Sequence, residues 1–273
     1  MMNQPVEYVQ VSSGQWQKTT AAVVEERPVS LTVNGEIWLT FMCTPTYLEA
    51  LAVGFLYNEG LIQSYQEIVS ARVCASGENV DIWISHSLDR PAQWRRTSGC
   101  TGGVTSIKDL SEEKTIQPNG FVLTVAQIHH LVGQLFEAQE LYRKSGGIHT
   151  SALSDGQLVW AAAEDIGRHN TLDKLVGRCL IENLDLPRRV LLTTGRLSSE
   201  MLQKAHRMGV KVVISRTSPS SLSIQMAESQ GITIIGYARR DSFRIYTHSE
   251  RVAAGAHDFE PRPERGFNPL KTR

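Results

Sequence analysis

Residues 158–177 read LVWAAAEDIGRHNTLDKLVG, and this stretch decides the predicted fold. The apolar run 158–163 has the length of a buried strand, whereas Leu172 and Val176 lie four positions apart, as on one face of a helix. Residues 164–170 are therefore predicted to form a turn from a strand into a helix. In an open α/β sheet such a turn lies beside the amino end of a helix, where ligands usually bind.

Four ionisable side chains occupy this turn within six positions: Glu164, Asp165, Arg168 and His169. Solubility alone does not require such a density of charge, so we predict that the turn contributes to a ligand site. The alternative is a capped, solvated turn that carries a local ion pair. The turn by itself does not decide between these two interpretations.

The composition excludes several classes of partner. The chain has 273 residues, of which 41% are hydrophobic, so it can form one large domain or two modest ones. It carries 28 basic and 28 acidic side chains, and we therefore expect neither nucleic acid nor a membrane surface as a partner. The sequence shows no apolar run of about twenty residues and no charged-then-apolar leader, which predicts a cytoplasmic protein.

Four cysteines are spread along the sequence: Cys43, Cys74, Cys100 and Cys179. Their spacing contains no CxxC pair and no Cys/His metal motif. We therefore expect all four side chains to be free thiols rather than disulfides or metal ligands. Three of the four fall in or beside apolar segments, which favours buried structural roles.

Cys100 is the exception, because residues 94–104 place it among three glycines. Glycines remove side-chain bulk and let the backbone approach another molecule closely. Nearby cations would favour the thiolate, the form that attacks sulfur electrophiles: Arg95, Arg96 and Lys108. The alternative is an inert linker in which the cysteine is incidental.

The amino-terminal part is predicted to be α+β. Strands at 29–33 and 37–42 flank Asn34-Gly35, a dipeptide suited to a tight hairpin turn. A helix is predicted from Pro45 to Tyr57 with Gly60 as its stop. Two more strands are predicted at 68–73 and 80–84.

From residue 121 onward, helices and strands alternate. Strands are predicted at 151–153, 158–163, 190–194, 210–214 and 232–236, with helices between most of them. This order predicts an α/β layered domain with a mostly parallel sheet. We place the domains at 1–115, α+β and including the Cys100 loop, and at 120–251, α/β, followed by a disordered tail at 252–273.

Three predicted turns follow strands and precede helices: residues 164–169, 195–199 and 215–220. Right-handed crossovers should bring them to one edge of the sheet. They supply Arg168, Arg196 and Arg216, and residues 237–244 add further cations. Such an edge could hold phosphates or a guanine nucleotide, although each arginine alone could equally form a surface ion pair. Neither a P-loop nor a GxGxxG motif is present.

The motifs at 164–177 and 194–201 resemble those of the formate dehydrogenase accessory protein family, the FdhD/NarQ-like sulfur carriers. Residues 52–62 and 246–251 are similar to further blocks of that family. The resemblance extends from about Glu26 to Arg251. It implies that the carboxyl-terminal part has a fold similar to that of cytidine deaminases. The deaminase zinc motif, His-x-Glu with a later Pro-Cys-x-x-Cys, is missing, so we expect no zinc.

The resemblance also implies an activity. Members of this family are sulfurtransferases that take persulfide sulfur from a cysteine desulfurase. They pass it to Mo-bis(molybdopterin guanine dinucleotide), the cofactor needed by formate dehydrogenase, and they are thought to work as homodimers. A guanine nucleotide is expected to mimic that cofactor.

By position, Cys100 matches the persulfide-bearing cysteine of the family, and Gly103 stands where many members have a second cysteine. One thiol must then both accept and donate the sulfur. The family's cofactor-binding segment corresponds to Ala238, Arg239, Arg240, Asp241, Ser242 and Phe243.

The remaining candidate contacts come from the predicted turns. Arg168, His169, Arg196 and Arg239 would neutralise the diphosphates, Glu164 or Asp165 would accept hydrogen bonds from guanine or ribose, and Ser198 adds a hydroxyl. His169 could instead adjust proton transfer.

Two rival functions stay open. The chain could be a carrier or chaperone that binds the guanylated cofactor and docks it into the apoenzyme without forming a persulfide. A nucleotide hydrolase is disfavoured, because the sequence shows neither a metal-binding carboxylate cluster nor a nucleophile paired with a base.

Overall fold

A computed structural model describes residues 3–91, 94–96, 104–106, 120–184 and 189–253. The strands are β1 Asn3–Ser12, β2 Gln15–Val24, β3 Arg27–Val33, β4 Glu36–Cys43, β5 Ile68–Val73, β6 Asn79–Ile84, β7 Trp94–Arg96, β8 Val104–Ser106, β9 Leu123–Thr124, β10 His149–Ser154, β11 Val159–Asp165, β12 Val190–Thr193, β13 Val212–Ser215, β14 Thr233–Gly236, β15 Arg244–Ile245 and β16 Val252–Ala253. The helices are α1 Leu48–Asn58, α2 Val125–Glu137, α3 Glu140–Ser145, α4 Arg168–Ile181, α5 Ser199–Arg207 and α6 Ser221–Gln230.

The amino-terminal layer is a four-stranded sheet in the order β4-β3-β6-β5, packed against α1. Its predicted hairpin is confirmed, because Asn34 and Gly35 take φ values of 48° and 85° between β3 and β4. Such left-handed angles match the twist of the two strands. The predicted helix start at Pro45 is wrong, since α1 begins at Leu48.

The second sheet has six strands in the order β11-β10-β12-β13-β14-β15. Parallel pairing is confined to β12, β13 and β14, whereas β10 pairs antiparallel with both β11 and β12, and β15 pairs antiparallel with β14. The prediction of a mostly parallel sheet is therefore wrong. The physical reason is the short turn at Asp155-Gly156, which can join only antiparallel neighbours.

Strand β11 is at the edge of this sheet, so it is only half-buried. Ala161 and Ala163 point into the core, but Trp160 is exposed, as is Leu158 just before the strand. Helices cover both faces of the sheet. One core joins it to α4, α5 and α6, and another joins it to α2. The α/β layered prediction for this part is confirmed in that coarser sense.

The two layers meet where α1 crosses α4. A Cβ atom at Gly54 would lie 1.8 Å from the backbone oxygen of Asp173, and a Cβ atom at Gly177 would lie 1.9 Å from that of Ala50. Each helix therefore presents a glycine to the backbone of the other, and no larger residue fits at either position.

Several elements were not predicted. The ten-residue strands β1 and β2 form a separate hairpin, and α3 follows α2 after a short break. Val252 and Ala253, assigned above to the tail, instead pair in parallel with β9. The predicted domain border at 116–119 and the predicted tail from residue 254 fall outside the described residues. Within the described part, no helix is both long and apolar enough to cross a bilayer.

Candidate functional site

The ends of four strands place the candidate residues along one edge of the six-stranded sheet. Because β10 runs opposite to both neighbours, β11 and β12 point the same way, as do β13 and β14. Thr194, just after β12, receives a hydrogen bond from Thr150 N on its Oγ1 at 3.0 Å and donates its own N–H to Thr150 O at 3.0 Å. The prediction that the three turns share an edge is therefore confirmed.

Asp165 is fully buried and saturated by internal partners. Its carboxylate accepts hydrogen bonds from Thr44 N at 3.1 Å, Gly167 N at 2.7 Å and Asn170 Nδ2 at 2.9 Å. Its Oδ2 lies 2.5 Å from Lys174 Nζ. A carboxylate enclosed in this way holds the turn together and has no surface for guanine or ribose.

Glu164 is also engaged within the protein. Its carboxylate accepts hydrogen bonds from the Leu141 and Tyr142 amides at 2.7 and 3.0 Å, at the start of α3. The Thr150 hydroxyl donates a further bond at 3.3 Å. Its negative charge satisfies amide groups that a helix leaves unpaired at its first turn. The geometry therefore supports a structural role for both acidic residues of the turn.

His169 is buried at the start of α4. Burial, together with nearby Lys204 and Arg168, holds its pKa well below the ordinary value of 6.5. Its Nε2 lies 3.5 Å from Ser198 Oγ, and the Ser198 side chain also accepts a hydrogen bond from Met201 N, capping α5. A neutral imidazole cannot neutralise a diphosphate. His169 is therefore not one of the positive charges available to a diphosphate at neutral pH.

Arg168 and Arg196 line one open cavity of about 400 Å³ at the amino ends of α5 and α6. Arg168 is largely buried and Arg196 is exposed. A Cβ atom at Gly195 would lie 3.0 Å from Arg168 Cβ, so the glycine leaves room for the arginine stem. Ser198 and Glu200 line the same cavity.

A second cavity of about 380 Å³ opens at the same edge. Its polar lining comes from the start of α3, from β10 and from the segments that follow β12, β13 and β14: Gln139, Tyr142, His149, Thr194, Arg216, Thr217 and Arg239. Burial and then the charge of Arg168 lower the pKa of His149 below its usual range, so this ring is also neutral near pH 7. Its ring Nδ1 lies 3.4 Å from Thr194 Oγ1.

The predicted cofactor segment 238–243 borders this second cavity through Arg239. Ala238 is buried and donates its N–H to Ser215 O at 3.0 Å, which ties the segment to β13. Arg239 N donates to Ser242 O at 2.7 Å and closes a tight loop around Arg240 and Asp241, both exposed.

Phe243 points away from that loop into the protein, where its ring meets the His129 ring at 5.5 Å. Of the predicted segment, Arg239, Arg240, Asp241 and Ser242 therefore reach the surface, while Ala238 and Phe243 anchor it.

Sequence reasoning missed two residues at this edge. His149 begins strand β10 and belongs to no motif, and Phe136, near the end of α2, has the pattern of an ordinary core residue of an amphipathic helix. Only the folded chain brings Phe136 under the Arg216 guanidinium, whose carbon lies 4.1 Å from the ring centroid. Stacking of this kind leaves no signature in sequence spacing.

The predicted sulfur-bearing residue, Cys100, lies outside the described residues. Its two flanking strands are described: β7 and β8 pair antiparallel, with Arg96 opposite Val104. Residues 97–103 therefore join the two paired strand ends. Across the described part of the chain, no group of three or more His, Cys, Asp or Glu side chains is arranged to hold a metal ion.

Comparisons with known proteins agree on one family. The model of the FdhD/NarQ family matches residues 24–253. A sulfur carrier protein FdhD from Staphylococcus haemolyticus is 36% identical over 252 residues, covering 90% of this chain and 95% of the relative. One from Bacillus pumilus is 36% identical over 248 residues, covering 89% and 95%.

A solved structure, described as a formate dehydrogenase accessory protein from Desulfotalea psychrophila, superposes with a TM-score of 0.78. It is 25% identical, and the match covers 93% of this chain and 100% of that one. The chain belongs to the FdhD/NarQ family.

Proposed function

We propose that this protein is a sulfur carrier in the maturation of formate dehydrogenase, and that Cys100 bears the sulfur. The observation that carries the proposal is the 36% identity, over nine-tenths of the chain, to relatives named sulfur carrier protein FdhD. The position of Cys100 between β7 and β8, in a stretch with three glycines, supports it. Glycines near a cysteine in sequence remove side-chain bulk, which favours the close approach of a second molecule to a persulfide there.

The cargo site we propose is the cation-bearing edge of the six-stranded sheet. Arg168, Arg196, Arg216 and Arg239 line its two cavities, which suits the diphosphates of Mo-bis(molybdopterin guanine dinucleotide). The layered sheet with helices on both faces supports a cytidine-deaminase-like fold for this part. That similarity implies no deaminase chemistry, because function resides in the site rather than in the fold.

The accepting step is a thiol–persulfide exchange. The Cys100 thiolate attacks the outer sulfur of the desulfurase persulfide, a new S–S bond forms on Cys100, and the donor cysteine leaves as a thiolate. The transferred sulfur is formally zero-valent, so its delivery as a sulfido ligand of the metal consumes two electrons. A thiol reductant supplies them and is oxidised to a disulfide. Because Gly103 stands three positions after Cys100, where many family members have a second cysteine, Cys100 has no second thiol nearby in sequence for this purpose.

The partners follow from these steps. We propose a cysteine desulfurase as donor, the catalytic subunit of formate dehydrogenase as recipient of the sulfurated cofactor, and a homodimer in the cytoplasm as the working form. The resemblance to the family supports each of these.

Mass spectrometry after incubation with a cysteine desulfurase and cysteine tests the proposal. The wild type should gain about 32 Da, one sulfur atom, on the peptide that contains Cys100. Cys100→Ala should lose the adduct and fail to yield active formate dehydrogenase in cells that lack their own carrier. Cys74→Ala is the matched control, because Cys74 is exposed and should be dispensable.

The rival function predicts a different result. A carrier that binds the guanylated cofactor without forming a persulfide would show no adduct, and its Cys100→Ala variant would restore full dehydrogenase activity. The enclosed carboxylates of Glu164 and Asp165 do not separate the two functions, since both require the same cargo site.

A further inference from the structure

A third cavity, of about 460 Å³, follows the free edge of the six-stranded sheet. Six consecutive residues of the edge strand β11, 159–164, line it. The walls come from the junction of α2 and α3, from α4 and from the residues just before α1: Ala138, Glu140, Leu141, Arg178, Thr46 and Tyr47. At about 3.3 Å per residue, this stretch of strand is roughly 17 Å long. The cavity is therefore a groove with the length of a short extended peptide.

Two exposed aromatic side chains form walls of this groove. Tyr47 is 55% exposed and Trp160 is 53% exposed. Arg178 fixes the first of them, because its guanidinium carbon lies 4.9 Å from the Tyr47 ring centroid and its Nη1 donates to Ala162 O at 2.9 Å. Tyrosine, tryptophan and arginine are the residue types that most often supply binding energy at protein interfaces. The groove is therefore suited to receive an apolar side chain of a peptide.

Side chains already cap part of the strand edge. The Val159 amide donates to Gln134 Oε1 at 2.7 Å, and the Ala162 carbonyl accepts the bond from Arg178. Capping of this kind protects an edge strand against the addition of a further strand. An occupant of the groove is therefore held mainly by its side chains.

Acidic groups predominate along the groove. Its lining includes Glu140, which is exposed, and Glu164. Arg178 is the basic residue of the described lining, and its Nε donates to Glu182 Oε1 at 3.0 Å, so its charge is already paired. The groove therefore favours an occupant with basic groups.

The described part of the chain ends beside this groove. Val252 and Ala253 form β16 and pair with Leu123 and Thr124. Val252 and Val159, the first residue of β11, pack against the same core cluster. Residues 254–264 come next, and a stretch of that length spans up to roughly 36 Å when extended. The residues after position 264 can therefore reach any part of the groove.

The sequence that follows has the chemistry that the groove favours. Residues 265–273 read RGFNPLKTR, with three basic side chains, no acidic one, and the apolar side chains of Phe267 and Leu270. The charge of this segment is opposite to that of the groove, and its phenylalanine matches the aromatic walls. Pro269 lacks a backbone N–H, which suits an occupant held by its side chains.

We propose that residues 265–273 occupy the groove along β11 of their own chain, with Phe267 against the rings of Tyr47 and Trp160 and with basic side chains beside Glu140. A segment linked covalently to its site is present at an effective concentration on the order of 1 mM, so a weak contact suffices. The segment shields the aromatic edge from other chains, and a partner protein gains access only by displacing it. This inference is independent of the sulfur relay, since it involves neither Cys100 nor the cation-bearing edge.

Hydroxyl-radical footprinting of the full-length protein tests the contact directly. Trp160 should be oxidised severalfold more slowly in wild type than in Phe267→Ser/Leu270→Ser, because the segment covers the ring in wild type. Trp83, which is 48% exposed on the four-stranded sheet, is the internal control and should react equally in both proteins. Phe259→Ser, which removes a ring from the preceding residues, is the matched control variant and should protect Trp160 as wild type does.

A competition experiment identifies the groove as the binding surface. A fluorescent peptide with the sequence of residues 265–273 should bind full-length Phe267→Ser/Leu270→Ser. If its Kd there is about 100 µM, wild type should bind it about tenfold more weakly, because the linked segment competes at about 1 mM. Trp160→Ala, added to Phe267→Ser/Leu270→Ser, should weaken the peptide roughly tenfold.

The charge of the groove has its own test in the same background. Glu140→Gln should weaken the peptide severalfold at low salt and by less at high salt, because exposed charges are screened. Glu36→Gln removes an exposed carboxylate from the four-stranded sheet and is the matched control, with no expected effect on the peptide.

The proposal is overturned if Trp160 reacts at the same rate in wild type and in Phe267→Ser/Leu270→Ser, or if the peptide binds both proteins equally or binds neither. Protection of Trp160 that disappears on dilution of wild type would show that a second copy occupies the groove. That result would also reject an occupant from the same chain.

Discussion

Among the individual residues, the thiols differ most in reactivity. Burial, reinforced by the Asp165 charge, raises the pKa of Cys43 to about 12, and burial also raises that of Cys179. The buried role predicted for Cys74 is wrong, because its side chain is exposed. Hydrogen bonding to the Ser76 hydroxyl lowers its pKa. Because only the thiolate reacts, a maleimide at pH 7 should label Cys74 rapidly and leave Cys43 and Cys179 unmodified in the native protein.

Counting the adducts by mass spectrometry checks this, with the denatured chain as a control that should take four labels. Native Cys74→Ser should then retain label only on Cys100, and label on Cys43 under those conditions would contradict the burial argument. The Cys74→Ser variant also suits the persulfide assay, because it removes the thiol that is exposed among the described residues.

His169 makes a prediction about pH. Its folded-state pKa lies well below the ordinary 6.5, so between these two values the unfolded chain binds more protons than the folded one. The contribution of His169 to stability is therefore fully present above pH 6.5 and is lost as the pH falls through its folded-state pKa. His149, also with a lowered pKa, contributes in the same direction.

Urea unfolding at pH 7.5 and pH 5.5 measures the effect. The loss of stability over this interval should be smaller in His169→Gln than in wild type, because the variant lacks the group that takes up the proton. An equal loss in both proteins would show that folding does not shift the pKa of His169.

At the scale of elements, the crossing of α1 and α4 sets the distance between the two layers. Gly54→Ala and Gly177→Ala should each destabilise the protein by about 3 kcal/mol or more, because the added methyl group would meet backbone atoms that cannot rotate away. Gly133→Ala, in the interior of α2 with nothing within 4 Å of its Cβ position, should instead be neutral or stabilise by up to about 1 kcal/mol. Chemical denaturation of the three variants compares them directly, and similar values for all three would refute the close crossing.

Sequence patterns predicted those elements whose signals are local. The Asn34-Gly35 hairpin depends on neighbours within a few positions, and it was found at its predicted place. The start of α1 was missed because Thr44 and Thr46 bond to Asp165 and Lys174, more than a hundred positions away. No local pattern encodes that contact.

For the candidate site, too, local features were predicted from the sequence and contacts between distant segments were not. The four charges of residues 164–169 were recognised as unusual, and their place at the sheet edge was predicted correctly from the order of elements. Their roles were harder to predict, because whether Asp165 faces a ligand or the interior depends on which segment packs over it. Arg216 was predicted from the sequence to be one of the cations of this edge. Its stacking on the Phe136 ring could not be predicted, because it depends on the packing of α2 against the sheet.

For the whole molecule, one buried polar seam joins the two layers next to the candidate site. Lys174 Nζ donates to Thr44 O at 2.9 Å and Thr46 Oγ1 at 3.0 Å, in the amino-terminal layer, and to Glu164 O at 3.3 Å, at the end of β11. Lys174 also forms an ion pair with Asp165, so this group of buried hydrogen bonds includes two opposite charges. The position of the β11–α4 turn, and with it Arg168, therefore depends on the docking of the amino-terminal layer.

Removing the cation from this seam should uncouple the layers. Lys174→Met should cost about 3–5 kcal/mol, because it leaves Asp165 buried without a compensating charge. Asp165→Asn combined with Lys174→Met should lose less than the sum of the single variants, since the two residues interact directly. Lys144→Met, at an exposed position of α3, is the matched control and should change stability by less than about 0.5 kcal/mol. Urea unfolding followed by circular dichroism and by tryptophan fluorescence should give coincident transitions for wild type and separated ones for Lys174→Met; coincident transitions in that variant would mean that the helix crossing alone joins the layers.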